Sequence, residues 1–98
     1  MKTKEKSKLT LIRRECVVNE GLLYKYELQM KERLRGVNVS HLYLISIELM
    51  LDDGSTTYAE TGEVFADAGK AIAFFDRLVK NLATPIDLAY ILEDDIKG

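Results

Sequence analysis

Residues 55–82, STTYAETGEVFADAGKAIAFFDRLVKNL, change period part-way through, and that change decides the fold. Up to Phe65 the stretch is rich in β-formers and reads as a strand, 55–65, in which Gly62 marks a bulge or an early end. From Ala66 onward the apolar residues Ala68, Ala71, Ile72, Phe75, Leu78, Val79 and Leu82 recur at i, i+3, i+4 and i+7. That spacing is the buried stripe of an amphipathic helix. Asp67 is placed to cap its start, and Lys80 and Asn81 suit its carbonyl end. Phe74 falls about 100° off the stripe. Beyond it, Thr84-Pro85 followed by Asp87 sets a second helix start: a hydroxyl cap, proline at the first helical position and a carboxylate three residues after the cap. This helix is predicted to run to about Ile96 with Leu88, Ile91 and Leu92 inward.

Working back from the same stretch, Asp53-Gly54 is a hairpin signal of the type I′ kind. Before it, residues 40–52 form the longest strand candidate. Tyr43, Ile45, Ile47, Leu49 and Leu51 make an unbroken apolar face, while Leu42, Leu44, Ser46, Glu48 and Met50 make a mixed one. Residues 22–34 alternate most cleanly, with Tyr24, Tyr26, Leu28 and Met30 against Lys25, Glu27, Gln29 and Lys31. Residues 8–18 precede them across Asn19-Glu20-Gly21 and should pair as a hairpin. Four strands followed by two helices predict an α+β fold: a four-stranded antiparallel meander with two C-terminal helices packed on one face. Residues 1–7 are expected to be a flexible N-terminus and 8–98 a single domain. A chain of 98 residues buries roughly two-thirds of its unfolded surface, enough for one modest core.

The chain holds one cysteine and one histidine, which excludes zinc ribbons, zinc fingers, HExxH metalloproteases and disulfide frameworks. No cofactor is expected: the glycines match neither GxGxxG nor GxxxxGK[ST]. The run Leu42–Leu51 contains Glu48 and is about half the ~20 apolar residues that span a bilayer. The four apolar residues Leu9–Ile12 fall short of the ~7–15 of a secretory h-region, so a cytoplasmic location is the expectation.

Net charge is −2, unevenly spread. Residues 1–36 carry ten basic and five acidic side chains; residues 37–98 carry four basic and eleven acidic. The basic half offers Arg13, Arg14, Lys25, Lys31, Arg33 and Arg35 as nucleic-acid contacts, although no interleaved aromatics or basic helix accompany them. His41 is a candidate general base without a neighbouring nucleophile motif. Cys16, on a strand, is expected to be buried and inert. Glu48, Glu60 and Glu63 offer paired carboxylates, but counting back from the turn sets Glu48 opposite Tyr58 and points to a solvated strand face.

The strand Ile45-Ser46-Ile47-Glu48, the acidic hairpin with Glu60 or Glu63 after it, and the ending Thr84-Pro85-Ile86-Asp87-Leu88 with Glu93-Asp94 resemble a family of small Gram-positive bacterial proteins built on a domain of unknown function. The resemblance covers residues 42–96, with Thr84 where the family commonly has serine. It implies a cytosolic single-domain protein and no reaction.

The functional expectation is therefore a non-enzymatic protein-interaction or regulatory module, its partner another protein or a second copy. The apolar residues left over by a two-layer core, Leu42, Leu44, Met50 and Phe74, mark the expected contact surface. Nucleic-acid binding by the basic N-terminal hairpin is the alternative.

Overall fold

The computed structural model describes residues 6–97. Four strands, β1 (Lys6–Asn19), β2 (Leu22–Arg35), β3 (Asn38–Met50) and β4 (Thr56–Glu60), pair antiparallel in the order β1-β2-β3-β4. Two helices follow, α1 (Ala68–Lys80) and α2 (Pro85–Lys97). This is the predicted α+β meander. The stretch expected to be flexible, 1–7, lies outside the described residues through position 5; Lys6 and Ser7 already belong to β1.

Cross-strand register explains why one face is dry. Tyr24, Tyr26 and Leu28 of β2 stand opposite Leu49, Ile47 and Ile45 of β3. All six are buried and pack with Ala71, Phe74, Phe75 and Leu78 of α1 and Leu88 of α2 in one core. Each fully buried side chain of this size contributes about 1.5–3 kcal/mol. The Tyr26 hydroxyl donates to the Ala83 carbonyl at 2.9 Å, so even the buried phenol oxygen is paired.

Both helix starts follow the sequence. The Asp67 carboxylate accepts from the Gly69 and Lys70 amides. Thr84 and Asp87 cap each other reciprocally: the Thr84 amide donates to Asp87 Oδ2 at 3.0 Å, and the Asp87 amide to Thr84 Oγ1 at 3.2 Å. Between the helices Asn81 caps α1, but Leu82, not Asn81, takes the left-handed conformation, with φ 51°.

The turns distribute differently from expectation. Asp53-Gly54 is not a two-residue I′ turn. The Gly54 amide donates to the Leu51 carbonyl and the Leu51 amide to the Ser55 carbonyl, with only Gly54 at positive φ, as in a three-residue loop with a glycine bulge. The I′ pattern sits instead at Glu20-Gly21, where both residues have positive φ, 52° and 80°. At the β2–β3 hairpin only Gly36, the first of two turn residues, has positive φ, which matches type II′.

The fourth strand is shorter than the 55–65 expected. It ends at Glu60, with the Thr61 amide still donating to the Ile45 carbonyl; the chain then bulges, with Gly62 at φ 76°, and rejoins β3 through a Tyr43–Phe65 bridge. Phe65 thereby turns its ring to Phe74, 5.2 Å between centroids. This supplies the wall that buries Phe74, which a one-stripe reading of α1 leaves outside the core.

Candidate interaction surface

The helices cover only part of the sheet. Beyond Met30 and Tyr43 the three long strands continue as an arm without a helix over either face, ending at the Gly36-Val37 turn. The long axis of the molecule, 52 Å, matches the ~46 Å reach of a 14-residue strand.

On the face away from the helices, charged side chains answer one another across strands. Arg14 contacts Glu27 at 2.7 Å, and Lys25 contacts Glu48 at 3.1 Å. Glu63 reaches from the bulge after β4 to Lys31 at 2.6 Å and Arg33 at 2.9 Å. The hydrogen bond from Lys31, with the charges of Lys31 and Arg33 beside it, holds the Glu63 carboxyl below the usual glutamate range. Glu63 is thus a clasp tying the β4–α1 connection to the start of the arm.

The expected surface of Leu42, Leu44, Met50 and Phe74 does not exist as one patch. Phe74 is 2% exposed, in the core on the helix side. Leu44, on the opposite side of the sheet, is 7% exposed and so also buried. Leu42 is half-buried, and Met50 is exposed but near the opposite end of β3. The exposed apolar side chains of the arm are instead Leu9, Leu34, Val37 and Val39, with Leu11 and Ile12 of β1 just short of its base. Register puts Leu9, Lys31 and Leu42 in one row and Leu11, Gln29 and Leu44 in the next, so leucines flank the stems of Lys31 and Gln29. Leu9 and Leu11 share a side because β1 keeps strict alternation up to Leu11; a bulge at Ile12 then resets it. Their alternation is visible in the sequence, but their exposure follows from lying on an outer strand and on the face that the helices leave bare.

The basic residues offered for nucleic acid are not gathered either. Arg13 lies on the helix side, 2.9 Å from Asp76 and over the Phe75 ring at 5.9 Å. Arg14, Lys25, Lys31 and Arg33 lie on the other side, each against a carboxylate. Arg35 is exposed near the tip.

Cys16 is exposed, not buried, because β1 is an outer strand and this residue points away from the helices, opposite Lys25. His41 is exposed on the arm with Nε2 3.4 Å from Glu32 Oε2. The three carboxylates diverge: Glu48 faces Tyr58, Glu60 accepts from the Tyr58 hydroxyl at 2.7 Å, and Glu63 turns to the arm. Among the described residues no group of three or more His, Cys, Asp and Glu could hold a metal ion, and no helix is long and apolar enough to cross a membrane.

A second feature lies at the other edge of the sheet. Ala59 and Glu60 of β4 and Leu88, Ala89, Tyr90, Leu92 and Glu93 of α2 line a groove of about 640 Å³, mostly apolar with two carboxylates. Alanines at 59 and 89 leave it open, and Tyr90 stands exposed on its rim.

No family model, no curated protein and no solved structure matches this chain.

Proposed function

We propose that this protein is a non-enzymatic interaction module that engages another protein through its three-stranded arm. The observation that carries the reading is the row of Leu9 and Leu11 at 57% and 43% exposure, beside Leu42, on a part of the sheet that neither helix covers. Exposed apolar side chains grouped on a rigid strand surface favour burial against a partner. The internal pairing of the cations supports this reading over nucleic-acid binding.

The test is affinity enrichment from cells with the wild-type chain and with Leu9→Asp/Leu11→Asp. A protein recovered by the wild type and lost by the double variant is the expected result; identical recoveries refute the arm as the contact. A fluorescent oligonucleotide titrated at low salt is expected to show no binding, and a steep salt-dependent affinity would reverse the choice.

A further inference from the structure

We propose that β4 and α2 form the two-fold interface of a homodimer, separate from the arm. Strand β4 is an outermost strand of the sheet. Leu51 bonds Ser55 and Thr61 bonds Ile45 through the main chain. Alternation along an antiparallel ladder then makes Leu49–Thr57 and Ile47–Ala59 the hydrogen-bonded pairs. The amides and carbonyls of Thr56, Tyr58 and Glu60 consequently point outward, away from β3.

These three residues are self-complementary. A two-fold axis at Tyr58 pairs Thr56 with Glu60 of the second copy, Tyr58 with Tyr58, and Glu60 with Thr56. Every outward donor and acceptor then meets one of the opposite kind. No like charges face each other, and a threonine hydroxyl stands across from each glutamate. Sliding the register until Glu60 faces its own copy would bring two carboxylates together, so charge selects the centred pairing. The other outer strand is guarded against the same use by its bulge at Ile12 and by Lys8, Arg13 and Arg14. Within Thr56–Glu60 there is no proline, no lysine and no bulge.

Helix spacing points the same way. α2 packs on both β3 and β4. Its axis therefore lies about half a strand spacing inside β4, while the two-fold axis lies about half a spacing outside it. With strands ~4.8 Å apart, the two copies of α2 come to lie about 10 Å from each other, the separation of packed helices. Ala89, on the β4 flank of α2, would face its copy there, and two exposed apolar side chains stand above that seam. Ile86 and Tyr90, one turn apart on α2, are 73% and 68% exposed. Tyr90 already borders the groove over Ala59 and Ala89, and the facing helix covers that groove, leaving the Glu60 and Glu93 carboxylates that also line it at the solvent-facing rim. A second copy thus satisfies the strand edge, the groove and the exposed helix face together.

Light scattering after size exclusion, from low micromolar to near-millimolar concentration, tests this. The wild type is expected to approach twice the 11.1 kDa of one chain as concentration rises. Ile86→Lys/Tyr90→Lys is expected to halve that mass with an unchanged far-UV circular dichroism spectrum, while Leu9→Asp/Leu11→Asp remains dimeric. Amide exchange on the wild type gives a reading that needs no variant: the Thr56, Tyr58 and Glu60 amides slow as concentration rises. A wild type that stays monomeric throughout overturns the proposal, as do three amides that exchange fast at every concentration. A dimer broken by the arm variant and not by the helix variant also overturns it, and moves self-association to the arm.

Discussion

Tyr26 and Ala83, 57 positions apart, are joined by a 2.9 Å hydrogen bond from the phenol to the backbone carbonyl. The bond fastens the centre of the sheet to the short link between α1 and α2, both ends being buried. Tyr26→Phe keeps the ring but strips the carbonyl of this donor. A buried group losing its partner costs about 1–3 kcal/mol. Thermal unfolding should move down by roughly 4–8 °C per kcal/mol for a domain of this size.

The same phenol makes stability fall at high pH. Burial, with the Tyr24 and Asp87 charges adding, pushes Tyr26 up to about 12. Below pH 10 folded and unfolded chains both hold the proton and the contribution is complete. Between about 10 and 12 the unfolded chain releases it while the folded chain retains it, so stability declines as pH rises through this window. Urea midpoints measured across it should decline less steeply in Tyr26→Phe than in the wild type.

Thr84→Ala removes the oxygen that receives the Asp87 amide. The expected loss is about 1 kcal/mol, and Thr84→Ser should restore it because serine caps at least as well. Equilibrium denaturation of the three proteins decides the point; equal stabilities would mean that α2 is held by packing alone.

Such caps are legible in the sequence because capping is local: Asp67, Thr84 and Asp87 each act within four residues. The meander is legible for a related reason, since a period of two with glycine turns leaves few alternatives to sequential pairing. Phe74 is not, because its burial comes from Phe65, nine residues away and on another element. Turn types are hidden as well. Asp53-Gly54 and Glu20-Gly21 carry similar local signals, and the register of the flanking strands decides which adopts two positive φ angles. The exposure of Leu9 and Leu11 depends on which face of the sheet the helices take and on β1 being an outer strand, neither of which the pattern of β1 encodes.

Acid should loosen the clasp at the base of the arm. The Glu63 carboxyl is held low by Lys31 and Arg33, so its contribution is complete above the ordinary glutamate value of about 4.3 and disappears as pH falls through its lower folded value. Amide exchange around Lys31 and Arg33 is expected to rise in that range. Glu63→Gln should show the faster exchange already at neutral pH, with the core amides of Tyr26 and Ile47 unchanged.

Glu20 occupies a left-handed backbone position, φ 52°, next to Gly21 at φ 80°. An L-residue there costs roughly 1–2 kcal/mol, and asparagine tolerates it better than glutamate because its short amide can bond locally. Asn19 and Leu22 close the hairpin on either side, so the two-residue turn cannot relax without shifting the β1–β2 register. Glu20→Asn is therefore expected to stabilise the protein by about 0.5–1 kcal/mol, read as a higher denaturant midpoint at constant slope. Gly21→Ala should do the reverse. It places a side chain at positive φ, and its Cβ would sit 3.2 Å from Asp52 Oδ1. Opposite signs from adjacent substitutions separate backbone strain from a general effect of altering the loop. A loss of stability in both would show that the Glu20 side chain contributes more to this turn than its backbone strain costs.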